Sequence, residues 1–186
     1  ARGRKWRLLA LPAAESLEAA FLSEVRDFSA DQCAVEGRLP AWLRGALLRN
    51  GTGTHRTPGG GRLQHLFDGY GFLARWALDG ARNEARCSGR FVDSRASRAA
   101  RLGLDGRPPQ MEFSEFGTPP GRDGAGDPAW WAGALRSLSS GLTDNANVNV
   151  VRVGDAWLAV SEPASAQFEI DPVSLETLRI TFDHAL

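Results

Sequence analysis

Asn147-Val148-Asn149-Val150-Val151-Arg152-Val153, then Gly154-Asp155, then Trp157-Leu158-Ala159-Val160-Ser161-Glu162: these two apolar runs, parted by a turn, decide the fold class. Both are rich in the β-branched and aromatic side chains that suit a pleated surface. Downstream, Gln167-Phe168-Glu169-Ile170 and Leu178-Arg179-Ile180-Thr181-Phe182 continue the pattern, with Asp171-Pro172 as the turn between them. Short strands punctuated by turns every eight to twelve residues or so argue for an all-β sandwich, barrel or propeller.

Upstream, the same grammar recurs. Phe72-Leu73-Ala74-Arg75-Trp76-Ala77-Leu78 leads through Asp79-Gly80 to Glu84-Ala85-Arg86-Cys87-Ser88-Gly89-Arg90-Phe91-Val92, which predicts a hairpin. Ala46-Leu47-Leu48-Arg49-Asn50 reads as a strand, ended by a loop over residues 51–61 that contains Pro58-Gly59-Gly60-Gly61. Helices are few. Leu17, Phe21 and Val25 recur at helical spacing within residues 15–26, and residues 94–102 suit a short helix. Residues 103–131 turn to Gly, Pro and Asp, a loop long enough to be either functional or disordered. Trp130-Trp131 with Leu135 and Leu138 is expected to pack in the core, a membrane or substrate contact being the alternative. Neither a GxGxxG nor a P-loop occurs, and strands do not alternate with helices.

Composition narrows the function. The chain has 186 residues with 22 basic and 22 acidic side chains, so it carries no basic footprint for nucleic acid. No stretch of about eighteen apolar residues is available to span a membrane. Cys33 and Cys87 lack CxxC spacing, so neither a zinc site nor a disulfide is expected, and a reducing compartment is the default. The histidines, His55, His65 and His184, fit neither HxH nor HxxxH, so no metal ligand is assigned. The chain opens without Met, and a fragment is expected.

His65-Leu66-Phe67-Asp68-Gly69-Tyr70-Gly71 is, on its residues alone, a tight turn leading into a strand with one polar group held inside. It also resembles the His-Trp/Leu-Phe-Asp-Gly signature of the carotenoid oxygenases. Arg49-Asn50-Gly51-Thr52-Gly53 is similar to that family's Arg-Asn-Gly-Pro-Gly, with Thr52 in place of Pro. Thr143-Asp144-Asn145-Ala146-Asn147-Val148-Asn149-Val150 is similar to its Thr-Asp-Asn-Ala-x-Val-Asn-Val. The order of the three motifs matches the family's.

This resemblance implies a seven-bladed β-propeller capped by a dome of loops and helices, of which the chain is the N-terminal part. A blade takes about 40–50 residues, so a chain of this length makes three or four. Residues 1–34 are then an N-terminal extension with a short helix, and residues 35–186 a partial propeller. The resemblance further implies a non-haem Fe(II) dioxygenase that uses O2 to cleave a conjugated C=C bond of a carotenoid or apocarotenoid into two carbonyl products. The fragment itself is expected to be inactive. The rival readings are a retinoid isomerase on the same propeller and a truncated, non-catalytic binding module.

The family's iron is held by four histidines spread around the propeller, beginning beyond Leu186. By register, Glu162 accepts a hydrogen bond from one of those ligands, which fixes its tautomer. His184 is a tempting ligand but is not assigned. Arg49, Asn50, His65, Asp68, Thr143, Asp144 and Asn145 are structural motif residues. Thr143, Asp144, Asn145 and Asn147 are expected to bond nearby backbone, and Asp68 to pair with Arg49 or Asn50. Leu66, Tyr70 and Glu112-Phe113-Ser114-Glu115 are similar to the strigolactone-pathway branch, the carlactone-synthase type, which implies a plastid location. Gly71, where that branch tends to have Ser, and Val148-Asn149 depart from it.

Overall fold

A computed structural model of the chain describes residues 26–55, 66–94, 97–98, 144–161 and 166–181. Among the described residues, eight strands form two four-stranded antiparallel sheets. The first sheet contains β1 (Phe28–Cys33), β2 (Arg44–Thr52), β3 (Gly71–Asp79) and β4 (Glu84–Phe91), in the order β1-β4-β3-β2. The second contains β5 (Asn149–Val153), β6 (Ala156–Val160), β7 (Gln167–Ile170) and β8 (Thr177–Thr181), in sequence order. A single 3-10 turn, Leu66–Asp68, leads into β3. The all-β expectation holds, and two four-stranded antiparallel units are what a propeller is assembled from.

The expected hairpin is present, with β3 and β4 in register from Phe72↔Phe91 to Asp79↔Glu84. Its turn is fixed locally and from outside. Asp79 Oδ1 accepts the Arg82 N–H at 3.2 Å, and Asn83 sits at φ 57°, a conformation that Asn tolerates. The Asn83 side chain then accepts the Leu39 N–H at 2.8 Å, docking the approach to β2.

Strand alternation decides what meets what. Asn50, paired with Leu73, and Leu48, paired with Arg75, lie on one face of the first sheet. That face packs on the second sheet: Leu73 and Val92 join Ala159, Phe168, Ile170 and Leu175 in the core, with Leu48, Val150 and Trp157 against them. The opposite face carries Phe28, tilted against Phe72 at 6.4 Å between ring centroids, and Phe91, edge-on to Phe72 at 4.9 Å, together with Leu47, which is 52% exposed.

The second sheet closes with a compact turn. Asp171 Oδ1 accepts the N–H groups of Val173 (2.8 Å) and Ser174 (2.6 Å), and Asp171 O accepts that of Leu175 at 2.9 Å. Leu175 is held at φ 62° with its side chain wholly buried. A leucine in this left-handed region costs about 1–3 kcal/mol, which full burial of the side chain offsets.

Two findings were not foreseen. The strand β1 lies upstream of the expected boundary at residues 34/35, yet it pairs with β4. The expectation of two separate thiols is corrected as well: Cys33 and Cys87 are disulfide-bonded, with Cα atoms 6.0 Å apart. The pairing follows from β1, because Asp31 faces Cys87 and Cys33 faces Ala85, which makes the two cysteines diagonal neighbours on one face. The helix expected over residues 15–26, the loop over 103–131 and the Trp130-Trp131 patch lie outside the described residues. Of the helix expected over 94–102, Ser94, Ser97 and Arg98 are described; Ser97 and Arg98 are helical, with Ser94 as the cap (Ser97 N–H to Ser94 Oγ, 3.0 Å).

Candidate functional site

The motif residues converge where β2 and β5 run side by side. The segment before β5, from Asp144 to Asn147, is buried throughout although three of its four residues are polar. Buried polar groups demand partners, and here the partners are backbone groups of the turn ahead of β3.

Asn145 closes a two-way bridge. Its Oδ1 accepts the Gly71 N–H at 2.9 Å, and its Nδ2 donates to the Gly69 carbonyl at 3.0 Å. Asn147 works beside it, Nδ2 donating to the carbonyls of Phe67 (2.6 Å) and Gly69 (2.8 Å). The Ser161 hydroxyl donates to Asn147 Oδ1 at 3.3 Å, so the end of β6 is tied to the same amide. From the first sheet, Asn50 Nδ2 donates to the carbonyls of Ala146 (3.0 Å) and Asn149 (3.2 Å). Three carboxamides thus stitch the sheets together where no strand ladder joins them. Gly71 makes the close approach possible, since a Cβ there would lie on the Ala146 carbonyl oxygen.

The turn is anchored on its other side by backbone bonds. Gly53 N–H donates to Tyr70 O at 2.8 Å, and Tyr70 N–H to Thr54 O at 3.3 Å. His55 and Asp68 are both buried here, and His55 Nε2 packs against Gly69. Farther out, Asp93 and Arg98 form an ion pair at 2.7 Å. The Asp93 carboxylate, with a smaller contribution from Asp144, raises the Arg98 guanidinium above its ordinary pKa.

The expected site residues divide as follows. Asn50, Asp68, Asp144 and Asn145 gather at the seam. Arg49 stands exposed on the other face of β2, and the expected tie from Asp68 to Asn50 gives way to the Asn50 bonds with Ala146 and Asn149. Asn145 and Asn147, expected to bond nearby backbone, bond the backbone ahead of and at the start of β3, 74 to 80 residues away in sequence, and Asn147 also meets Ser161. Sequence reasoning passed over Ser161 as a partner and Asn147 as the double donor. The signal was there in the alternation of Asn145, Asn147 and Asn149, which puts all three on one side of an extended chain. His65, Thr143, Glu162 and His184 lie outside the described residues. Among the described residues, no three His, Cys, Asp or Glu side chains come together to hold a metal ion. No described helix is long and apolar enough to cross a membrane.

Comparison with known proteins gives this seam its context. The profile of the Retinal pigment epithelial membrane protein (RPE65) family matches residues 21–184. Carotenoid cleavage dioxygenase 8 homolog B, chloroplastic, of Oryza sativa subsp. japonica is 38% identical over 147 residues, covering 77% of this chain and 24% of that protein. Beta,beta-carotene 15,15'-dioxygenase of Gallus gallus is 34% identical over 147 residues, covering 77% of the chain and 26% of that protein. The chain therefore spans about a quarter of the length of these relatives. Among solved structures, cobalt-substituted Synechocystis apocarotenoid oxygenase aligns with a TM-score of 0.71 at 23% identity, over 90% of this chain and 32% of the other. A chimera of that enzyme with RPE65 aligns at 0.70 with 24% identity and the same coverage.

Proposed function

Because this chain belongs to the RPE65 family of carotenoid oxygenases, we propose that it is the seam-bearing part of an enzyme that cleaves a conjugated C=C bond of a carotenoid or apocarotenoid. One observation carries the reading. The Phe67-Asp68-Gly69 turn and the Asp144–Asn149 segment, the two segments most similar to the family's motifs, are bonded to each other by Asn145 and Asn147. In this reading, residues 35–186 belong to the propeller, and the cofactor is Fe(2+), whose chemistry when bound is to activate O2 against the polyene. The part played by this chain is structural support: Ser161, tied to Asn147, fixes the end of β6 immediately before Glu162, which we assign to the ligand-orienting role.

The substrate offers almost no hydrogen-bond handles, so its recognition rests on apolar burial and shape. A chloroplast location is supported by the name of the rice relative, and an apocarotenal substrate of the carlactone-synthase type by Leu66, Tyr70 and Glu112–Glu115. Peripheral contact with a membrane, where such polyenes dissolve, belongs to the same reading.

The test is oxygen-18 labelling. The full-length protein, loaded with ferrous iron, is given a long-chain apocarotenal under labelled O2, and products are read by mass spectrometry. Two shorter carbonyl products that carry the label are expected. An intact carbon skeleton without O2 uptake would move the assignment to an isomerase, and polyene binding without turnover to a binding module.

A further inference from the structure

We propose that the Cys33–Cys87 disulfide is a redox-operated latch on the outer strand of the first sheet. A dithiol reductant opens it and frees β1 from β4, and reoxidation closes it. Apart from the disulfide, β1 is held at the surface of the sheet. The strand has six residues, and none of its described side chains belongs to the buried core. Its largest apolar side chain, Phe28, is 40% exposed and rests on the Phe72 ring from outside. Its ladder with β4 is interrupted between Phe28 and Asp31, so regular pairing is confined to the last three residues. At the N-terminal end Phe91 N–H donates to Asp27 Oδ1 at 2.8 Å.

The disulfide sits at the opposite end, on the last residue of β1, and closes a separation of 54 residues. A cross-link over that span removes much of the freedom of the opened chain, so its loss falls hardest on the strand it ties down. Both cysteines are half-buried, which leaves a sulfur within reach of an attacking thiolate.

The chemistry balances. A thiolate of the dithiol attacks one sulfur and forms a mixed disulfide; its second thiol then displaces the protein thiol. Two electrons and two protons pass to Cys33 and Cys87, and the reductant leaves as its own disulfide. Opening exposes the hydrogen-bonding edge of β4 and uncovers the Phe72 and Phe91 rings. This device is independent of the enzymatic reading, and its test does not use activity.

The experiment is hydrogen–deuterium exchange on the intact protein with and without dithiothreitol, resolved to peptides covering residues 26–33, 84–91 and 166–181. On reduction, exchange over residues 28–33 is expected to rise roughly tenfold or more, with residues 166–181 unchanged and protection restored by reoxidation. Cys33→Ser and Cys87→Ser should exchange like the reduced protein and ignore the reductant. Should the variants fail to fold, the reduced wild type decides alone. Maleimide labelling of both cysteines before reduction, or unchanged exchange of β1 after it, would overturn the proposal.

Discussion

The two sheets finish their outer edges in different ways. In the second, each strand hands over to its neighbour, and β8 arrives through the Asp171–Leu175 turn with Leu175 driven into the core. In the first, the outer place is taken by β1, which precedes β2 in the chain yet pairs across the sheet from it. Both outer strands are largely exposed, so their own side chains do not hold them. What differs is the anchor: a buried leucine one residue before the Glu176–Thr177 approach to β8, against a disulfide and a carboxylate for β1. An edge secured by burial is permanent under folding conditions, whereas one secured by a sulfur bond depends on its surroundings.

Substitutions can break that contrast or sharpen it. The largest effect belongs to Phe168→Ala, which empties the centre of the core shared by both sheets. It should cost about 3–5 kcal/mol, read as a lower urea midpoint in the intact protein. If the first sheet unfolded separately and left the second unchanged, the two would not share a core. Next comes Asn145→Ala, which takes the side-chain acceptor from the buried Gly71 N–H and leaves the Gly69 carbonyl with Asn147 as its donor. About 2–3 kcal/mol should be lost, and Asn145→Asp should recover only the part owed to the accepted bond from Gly71. A loss below half a kilocalorie would show the seam to be replaceable by water.

Asp27→Ala removes the cap on Phe91 N–H and should cost about 1 kcal/mol, with faster exchange confined to β1 and β4. The smallest effect is a pH dependence. The Asp171 carboxylate is held below its ordinary value of 3.8, first by the Ser174 N–H and then by that of Val173. A depressed folded-state pKa contributes stability that is complete above the unfolded value and is lost as pH falls through the folded one. Asp171→Asn should therefore flatten the acid limb of the stability curve below about pH 4, and an unchanged limb would refute the assignment.

The sequence was legible where partners are near. The β3–β4 hairpin announces itself through Asp79-Gly80, and β5 to β8 through alternation and turns, because each strand pairs with the next. It was illegible where partners are far. Phe28-Ser29-Ala30-Asp31-Gln32-Cys33 has no apolar alternation, since it covers an edge and contributes nothing to the core, and without β1 the cysteines have no common register. The asparagine seam was half legible: the motif marked the place, but only the folded chain shows that its amides reach across to the other sheet.

Consider finally what the seam asparagines recognise. Across the seam, Asn50, Asn145 and Asn147 address the main-chain carbonyls of Phe67, Gly69, Ala146 and Asn149 and the N–H of Gly71. Such a junction reads the path of the chain and, apart from the glycines that a Cβ would crowd, little of its spelling. At Phe67, whose side chain is largely exposed, it is the carbonyl that Asn147 grips, which gives that position latitude so long as the turn keeps its shape. The asparagines have no such latitude, because few other side chains offer a donor and an acceptor at that reach. Variation and constraint are thus separated across a single contact, the one side free to change its text and the other obliged to keep its grammar.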